Sequence, residues 1–135
     1  RFMITIHQGV DFVLDCLKEM LGGEIFVKKL PSIKVVDIAK AISSKAKLVE
    51  VGLRPGEKIH EQMIGVEDSL STFEYKNHFK IIPDILVRND KNDVIGEGKK
   101  VKENFKYSSE TNLDKLSITN LKSWITENKN TFLKL

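Results

Sequence analysis

Between Thr5 and Leu21 the chain carries the helical signal that most constrains its fold. Thr5 followed three residues later by Gln8 has the spacing of a capping box, in which two side chains satisfy the orphan backbone N–H groups at a helix start. Ile6, Val10, Val13, Leu14, Leu17 and Leu21 then recur at steps of three and four, which places them on one helix face. Gly22-Gly23 supplies the left-handed stop. With 135 residues, 41% of them hydrophobic, the chain can fill one modest core but not two independent ones, so one compact unit is expected.

Further along, residues 2–6 (FMITI) read as a short strand or as the lead-in to the helix, and EIFVK (24–28) is a short β-prone run. Val35, Ile38, Ala39 and Ile42 show helical steps after the turn residues Pro31 and Ser32, and KLVEVG (47–52) reads as the next strand. Pro55 and Gly56 break the chain. After them, Glu57 to Ile64 is expected to form a short helix with Ile59 and Met63 facing inward and Glu57 in its favourable first turn. HFKIIP (78–83) is a strand candidate, the stretch from Asp84 to Lys102 with Asn89, Asp90 and Asn92 is polar, and Ser117 caps a final helix through Leu121, Trp124 and Ile125. Short strands alternating with helices define an α/β fold class.

Charge narrows the function classes. The 22 Lys+Arg and 19 Asp+Glu leave a net charge of +3 spread over the chain, which argues against a nucleic-acid partner, since that selects a clustered basic face. The single cysteine, Cys16, lies beside Leu14 and Leu17 in the helical pattern, where a small buried thiol is the ordinary explanation, and a cytoplasmic location fits. No apolar run approaches the roughly 18 to 20 residues of a membrane-spanning helix, and RFMITIHQG lacks a signal peptide's layout, so no membrane partner is expected. A chain that opens on Arg1 reads as a region cut from a longer polypeptide.

The stretch VGLRPGEKIHEQMI (51–64) carries the chemistry: a strand end, an Arg, a Pro-Gly break and a carboxylate. The planar guanidinium of Arg54 suits two oxygens of a diphosphate, and the Glu57 carboxylate three residues on can accept hydrogen bonds from a ribose diol. A loop Arg pairing with a nearby acid is the bland alternative for the same four residues.

This segment resembles the RPG(D/E) segment of extended short-chain dehydrogenase/reductases that act on nucleotide sugars, and most closely the form found in the capsule and flagellin-sugar UDP-N-acetylglucosamine 4,6-dehydratases. Four further blocks agree in order: RFMITIHQGVDFVL, GGEIFVKKLPSIKVVDIAKAI, STFEYKNHFKIIP and YSSETNLDKLSITNLKSWI. The resemblance implies the C-terminal, substrate-binding portion of such an enzyme, lacking the Rossmann core. Residues 1–66 would be the nucleotide-sugar-binding segment and 67–135 a C-terminal extension packed with it as one unit. It further implies that Arg54 contacts the pyrophosphate, Glu57 the uridine ribose, and Arg1 the phosphate or uridine region of a UDP-sugar. Departures from the family pattern, Lys28-Lys29, Val36, Phe79 and Lys115, touch neither Arg54 nor Glu57.

By the same resemblance the full-length parent uses NADP to oxidise the sugar at C4, eliminates water across C5 and C6, and returns the hydride to C6, with or without inversion at C5. The Gly-rich turn after a first strand is absent from this chain, and so is a Tyr-x-x-x-Lys pair, because Tyr75 is followed four residues on by Phe79 and Tyr107 by Thr111. No catalytic and no cofactor-binding residue is therefore assigned. GEGKK (96–100) lacks the spacing of a phosphate loop, and His7, His60, His78 and Cys16 lack a metal-ligand spacing, so no metal site is assigned either. The alternative function is a stand-alone nucleotide-sugar-binding or interaction module that kept the grip without the chemistry. The resemblance also implies that EIFVK belongs to the sheet of the cofactor domain, so that in this chain its edge would stand unpaired and a homo-oligomer is expected.

Overall fold

The computed structural model describes residues 1–89 and 94–128. Its contacts cluster into two compact units that each draw on separated stretches of chain. One, the sheet unit, comprises Ile4–Leu30 and Gln62–Ser108; the other, the helix unit, comprises Arg1–Met3, Pro31–Glu61 and the segment from Ser109 onward. The boundary at residue 66 rests on motif content rather than on contacts.

The sheet unit begins with α1 (Ile6–Glu19), and its start is the capping box read from the sequence. Thr5 Oγ1 accepts the Gln8 N–H at 3.1 Å, and Gln8 Oε1 accepts the Thr5 N–H at 3.0 Å. After the helix the chain turns through Gly22 and Gly23, both at positive φ. The Glu24 carboxylate accepts the N–H groups of Leu21 at 2.6 Å and Gly22 at 2.7 Å, so the reversal is held from below. Burial works to raise the Glu24 pKa, but these backbone donors and Lys80 outweigh it and hold the carboxyl below its ordinary range.

Four strands follow in an antiparallel sheet of order β1-β4-β3-β5: β1 (Ile25–Lys28), β3 (Thr72–Glu74), β4 (His78–Ile81) and β5 (Lys99–Lys100). β4 is central, pairing Ile81 with Ile25 on one side and with Thr72 on the other. A second sheet joins β2 (Gln62–Ile64) to β6 (Tyr107–Ser108). The core of this unit holds Ile64, Ile82 and Thr72, all fully enclosed, with Val27, Phe73, Phe79 and Tyr107. Phe79 stacks at a tilt on Phe105 and Tyr107, and the buried Tyr107 hydroxyl donates to the Leu30 carbonyl at 3.0 Å while accepting the Leu30 N–H at 2.7 Å.

The helix unit is organised on Ser32, which bridges Phe2 on one side and Lys115 on the other. α2 (Val35–Ile42) faces α4 (Ile118–Glu127), whose Leu121 is fully enclosed and whose start is capped by Ser117 Oγ accepting the Asn120 N–H at 3.1 Å.

Several expectations change. The fold is mixed α/β as expected, but its strands gather into small antiparallel sheets rather than simply alternating with helices. Residues 47–52 form no strand: no ladder partner lies beside them among the described residues, and Val49 and Val51 stay exposed. The helix expected over 57–64 is replaced by turns and by β2, and Ile59 and Met63 face outward, because Gln62 and Ile64 pair with β6 instead. β1 pairs with β4 along one edge and, as the end strand of its sheet, has no ladder partner on the other edge among the described residues, as expected of EIFVK. Within the polar stretch, Asp84–Asn89 form a short helix, α3, while Asp90 and Asn92 lie outside the described residues. The apolar stripe of α1 contributes no buried residue; Leu17 is 59% exposed.

His78 in β4 is the unusual titratable group of the sheet unit. Its ring stacks on Tyr75 at 4.8 Å and tilts against Phe26 at 5.6 Å, and its buried Nε2 has no hydrogen-bond partner, the Glu19 carboxylate standing 3.8 Å away. Gly98 also lies against Tyr75, where a Cβ would meet the ring at 2.5 Å. Burial pushes the His78 pKa below 6.5; Glu19 opposes the shift, and Lys80, Lys29 and Lys28 reinforce it.

Two outcomes follow. Ile64→Ala removes a fully enclosed side chain and is expected to cost about 2–5 kcal/mol in chemical denaturation. Because the folded state disfavours protonated His78, the unfolded chain binds more protons below the ordinary pKa of 6.5, and stability present above that value is lost as pH falls toward the depressed folded pKa. Thermal unfolding from about pH 7.5 to about pH 5 should therefore show a decline that His78→Phe, which keeps the stack and cannot be protonated, makes shallower. Equal slopes in the two proteins would contradict it.

Candidate functional site

The RPGE segment folds as a single tight turn in the helix unit. Pro55 presets the first central φ, and Gly56 adopts φ +79°, the left-handed conformation that a type II turn requires at its second central position. The Glu57 N–H donates to the Arg54 carbonyl at 3.0 Å, which closes the turn. A second bond reinforces it: Glu57 Oε2 accepts the Arg54 N–H at 3.1 Å. Arg54 and Glu57 are thus brought together by backbone geometry and not by a side-chain ion pair. Both are exposed, and the Arg54 guanidinium has no ion-pair partner among the described residues. The bland reading of the motif, an Arg neutralised by its neighbouring acid, does not describe this geometry.

Arg1 lies elsewhere in the same unit. Its carbonyl accepts the Ile33 N–H at 2.8 Å, and its guanidinium pairs with Glu61. Glu61 is in turn fixed by Ser109, whose N–H donates to the Glu61 carbonyl at 2.8 Å and whose Oγ accepts the Glu61 N–H at 3.0 Å. Arg1 also lines a cavity of about 510 Å³ whose walls include Ile33, Ile59, His60 and Leu116; Arg54 and Glu57 do not line it. His60 Nε2 stands 3.8 Å from Glu110 Oε1. Glu61, Ser109 and the His60–Glu110 pair are the residues that reading the sequence missed. The His-Glu pair after RPGEK was the available signal for two of them.

The described residues do not fit a dinucleotide cofactor. Both sheets are antiparallel, whereas a dinucleotide site needs a strand, a glycine turn and a helix N-terminus in a parallel unit. Tyr75 donates its hydroxyl proton to the Ile95 carbonyl at 2.7 Å, and the Tyr107 hydroxyl is buried against Leu30, so both phenols are engaged in holding the fold. Lys99 and Lys100 of the GEGKK segment form β5 at the sheet edge. None of the described helices is long and apolar enough to cross a membrane.

A sequence model of the family described as Polysaccharide biosynthesis protein matches residues 1–83. The match takes in more than half of the 135 residues, including the whole turn, and the chain belongs to this family. At closer range, the chain is 44% identical over 117 residues to a UDP-N-acetylglucosamine 4,6-dehydratase (inverting) of Campylobacter jejuni, covering 83% of this chain and 35% of that protein. It is also 32% identical over 85 residues to a UDP-glucose 4-epimerase of Rickettsia akari, covering 60% of this chain and 25% of that one. Among solved structures it resembles Pen from Bacillus thuringiensis with a TM-score of 0.78 and 27% identity, over 96% of this chain and 39% of that one. The resemblance read from the five ordered blocks is borne out by the first of these relatives. The chain spans 35% of that relative's length and so corresponds to a part of it.

Proposed function

We propose that this chain is the C-terminal, substrate-binding portion of a UDP-N-acetylglucosamine 4,6-dehydratase in bacterial polysaccharide or glycan nucleotide-sugar biosynthesis. Residues 1–66 carry the grip on the UDP-sugar, with 67–135 as the accompanying extension. The observation that carries the reading is the turn at Arg54–Glu57, which leaves a guanidinium without an ionic partner three residues from a carboxylate already oriented by a backbone hydrogen bond. Arg54 is suited to two oxygens of the diphosphate and Glu57 to the ribose diol. Arg1 would have to exchange its pairing with Glu61 to reach the same ligand, so its contribution is smaller.

Hydride chemistry would be supplied by NADP held in the parent enzyme, and no step of it is assigned to residues of this chain. The engagement of Tyr75 and Tyr107 in the fold also favours, for this chain taken alone, the second reading of a nucleotide-sugar-binding module without catalysis. A cytoplasmic setting suits both readings.

A homo-oligomer is also proposed. β1 has β4 on one edge only, and self-association is further supported by α1, where Val10, Val13, Leu14 and Leu17 are all at least half exposed along one face. Sedimentation is expected to show a dimer or larger species that Leu17→Glu dissociates; a monomer at high concentration would remove this part of the proposal.

Calorimetric titration tests the function. The chain should bind UDP and UDP-N-acetylglucosamine, with Arg54→Ala weakening both by about tenfold or more and Glu57→Ala by somewhat less. A well-folded chain that binds both ligands equally with and without these substitutions would sink the assignment of the grip.

A further inference from the structure

The two ends of the four-stranded sheet are built differently. At one end β5 is two residues long and both are lysines, Lys99 and Lys100, so that edge is short and charged against pairing. At the other end β1 runs over Ile25–Lys28 in unbroken register with β4, without a proline or a bulge, and Ile25 is 59% exposed. Nothing in β1 blunts its outer edge in the way that length and charge blunt β5.

The hydrogen-bond pattern fixes which groups face outward. The Lys29 N–H donates to the Asn77 carbonyl at 3.0 Å, and antiparallel bonding alternates along a strand, so Val27 and Ile25 are the residues that bond to Phe79 and Ile81 of β4. The N–H and C=O groups of Phe26 and Lys28 therefore point away from β4, and no partner takes them among the described residues. Side chains alternate as well. Glu24, Phe26 and Lys28 share the face that carries α1, where Phe12, Val13 and Leu17 line a groove of about 260 Å³ with Glu24 and Phe26.

Charge then selects the occupant. Glu24 and Lys28 lie two residues to either side of Phe26, so a second copy running antiparallel, with Phe26 opposite Phe26, brings Glu24 of each copy opposite Lys28 of the other. Glu24 is held in place by the N–H groups of Leu21 and Gly22, which also keep it ionised. Lys28 rests with its Nζ 4.8 Å from the Phe12 ring centroid and meets no carboxylate among the described residues. In the same register the exposed Ile25 side chain meets Val27 of the second copy on the opposite face, and a two-fold axis repeats every contact.

We propose that β1 is a homodimerisation strand: two copies pair antiparallel through the outward backbone groups of Phe26 and Lys28, centred on Phe26, and join their two sheets into one. The inference rests on the self-association proposed above and supplies its geometry. The apolar groove of each α1 then flanks the central pair of phenylalanines.

Sedimentation equilibrium of the chain and its Lys28 variants tests this. Lys28→Pro removes an outward N–H and leaves the bonds to β4 intact, so it is expected to weaken the dimer at least about tenfold with the circular dichroism unchanged. Lys28→Glu keeps the backbone and sets two carboxylates opposite each other; it is expected to weaken the dimer about three- to tenfold. In a Cys16→Ser background, Phe26→Cys should yield a covalent dimer under mild oxidation, because directly opposed hydrogen-bonded residues stand about 5.5 Å apart, within disulfide reach. Ile25→Cys, which faces Val27, should not. A dimer that Leu17→Glu dissociates but both Lys28 variants leave intact would overturn the edge pairing while self-association through α1 stands. Cross-linking at Ile25 and not at Phe26 overturns the register. A monomer at high concentration overturns both proposals and gives the edge to a chain of another kind.

Discussion

The pairing of β4 on both its edges is the constraint on which the sheet unit depends. Buried backbone N–H and C=O groups must find partners, and β4 finds them in β1 on one side and β3 on the other. That double pairing puts Phe79 against Phe105 and Tyr107 and places Lys80 over the rings of Phe26 and Tyr75, at 4.8 Å from each centroid. It also draws in α1, whose last residue, Glu19, meets Lys80 at 3.4 Å. Lost pairing at β4 would therefore release the aromatic cluster, the His78 stack and the end of α1 together. In the helix unit the comparable position is Ser32, one residue with a bridge on each side.

How much of this was legible in the sequence depends on how far each signal reaches. The capping box and glycine stop of α1 and the Ser117 N-cap of α4 are local, written within a few residues, and both helices appear where Thr5 and Ser117 announce them. Strands need a partner that the local sequence does not name. KLVEVG has the composition of a strand and finds no ladder, whereas Gln62–Ile64, read as the end of a helix, is captured by Tyr107–Ser108 from far along the chain. The helix expected after Pro55-Gly56 failed for a related reason: Glu57, read as a favourable first-turn acid, closes the turn instead.

The candidate site divides the same way. The relation of Arg54 to Glu57 is a four-residue matter and could be read directly, and the ordered blocks pointed to the family that the comparisons then returned. The cavity could not be read, because its walls come from Arg1, from Ser32 to Asp37, from Ile59 and His60, and from residues beyond Ser109. No spacing rule connects those stretches; the Ser32 bridges, the Arg1 contacts with Ile33 and Glu61 and the Ser109–Glu61 hydrogen bonds bring them to one place.

One detail of the turn bears on how it would meet any ligand. The two oxygens of Glu57 have different tasks: Oε2 is held by the Arg54 N–H, and Oε1 has no hydrogen-bond partner among the described residues. The side chain is thus anchored in one rotamer by its own backbone before anything arrives, with an acceptor facing outward. A free glutamate on a loop loses rotamer entropy when it engages a partner, on the order of 1–2 kcal/mol. Here the turn has already imposed part of that loss, so a partner engaging Oε1 would meet a side chain oriented beforehand by backbone geometry.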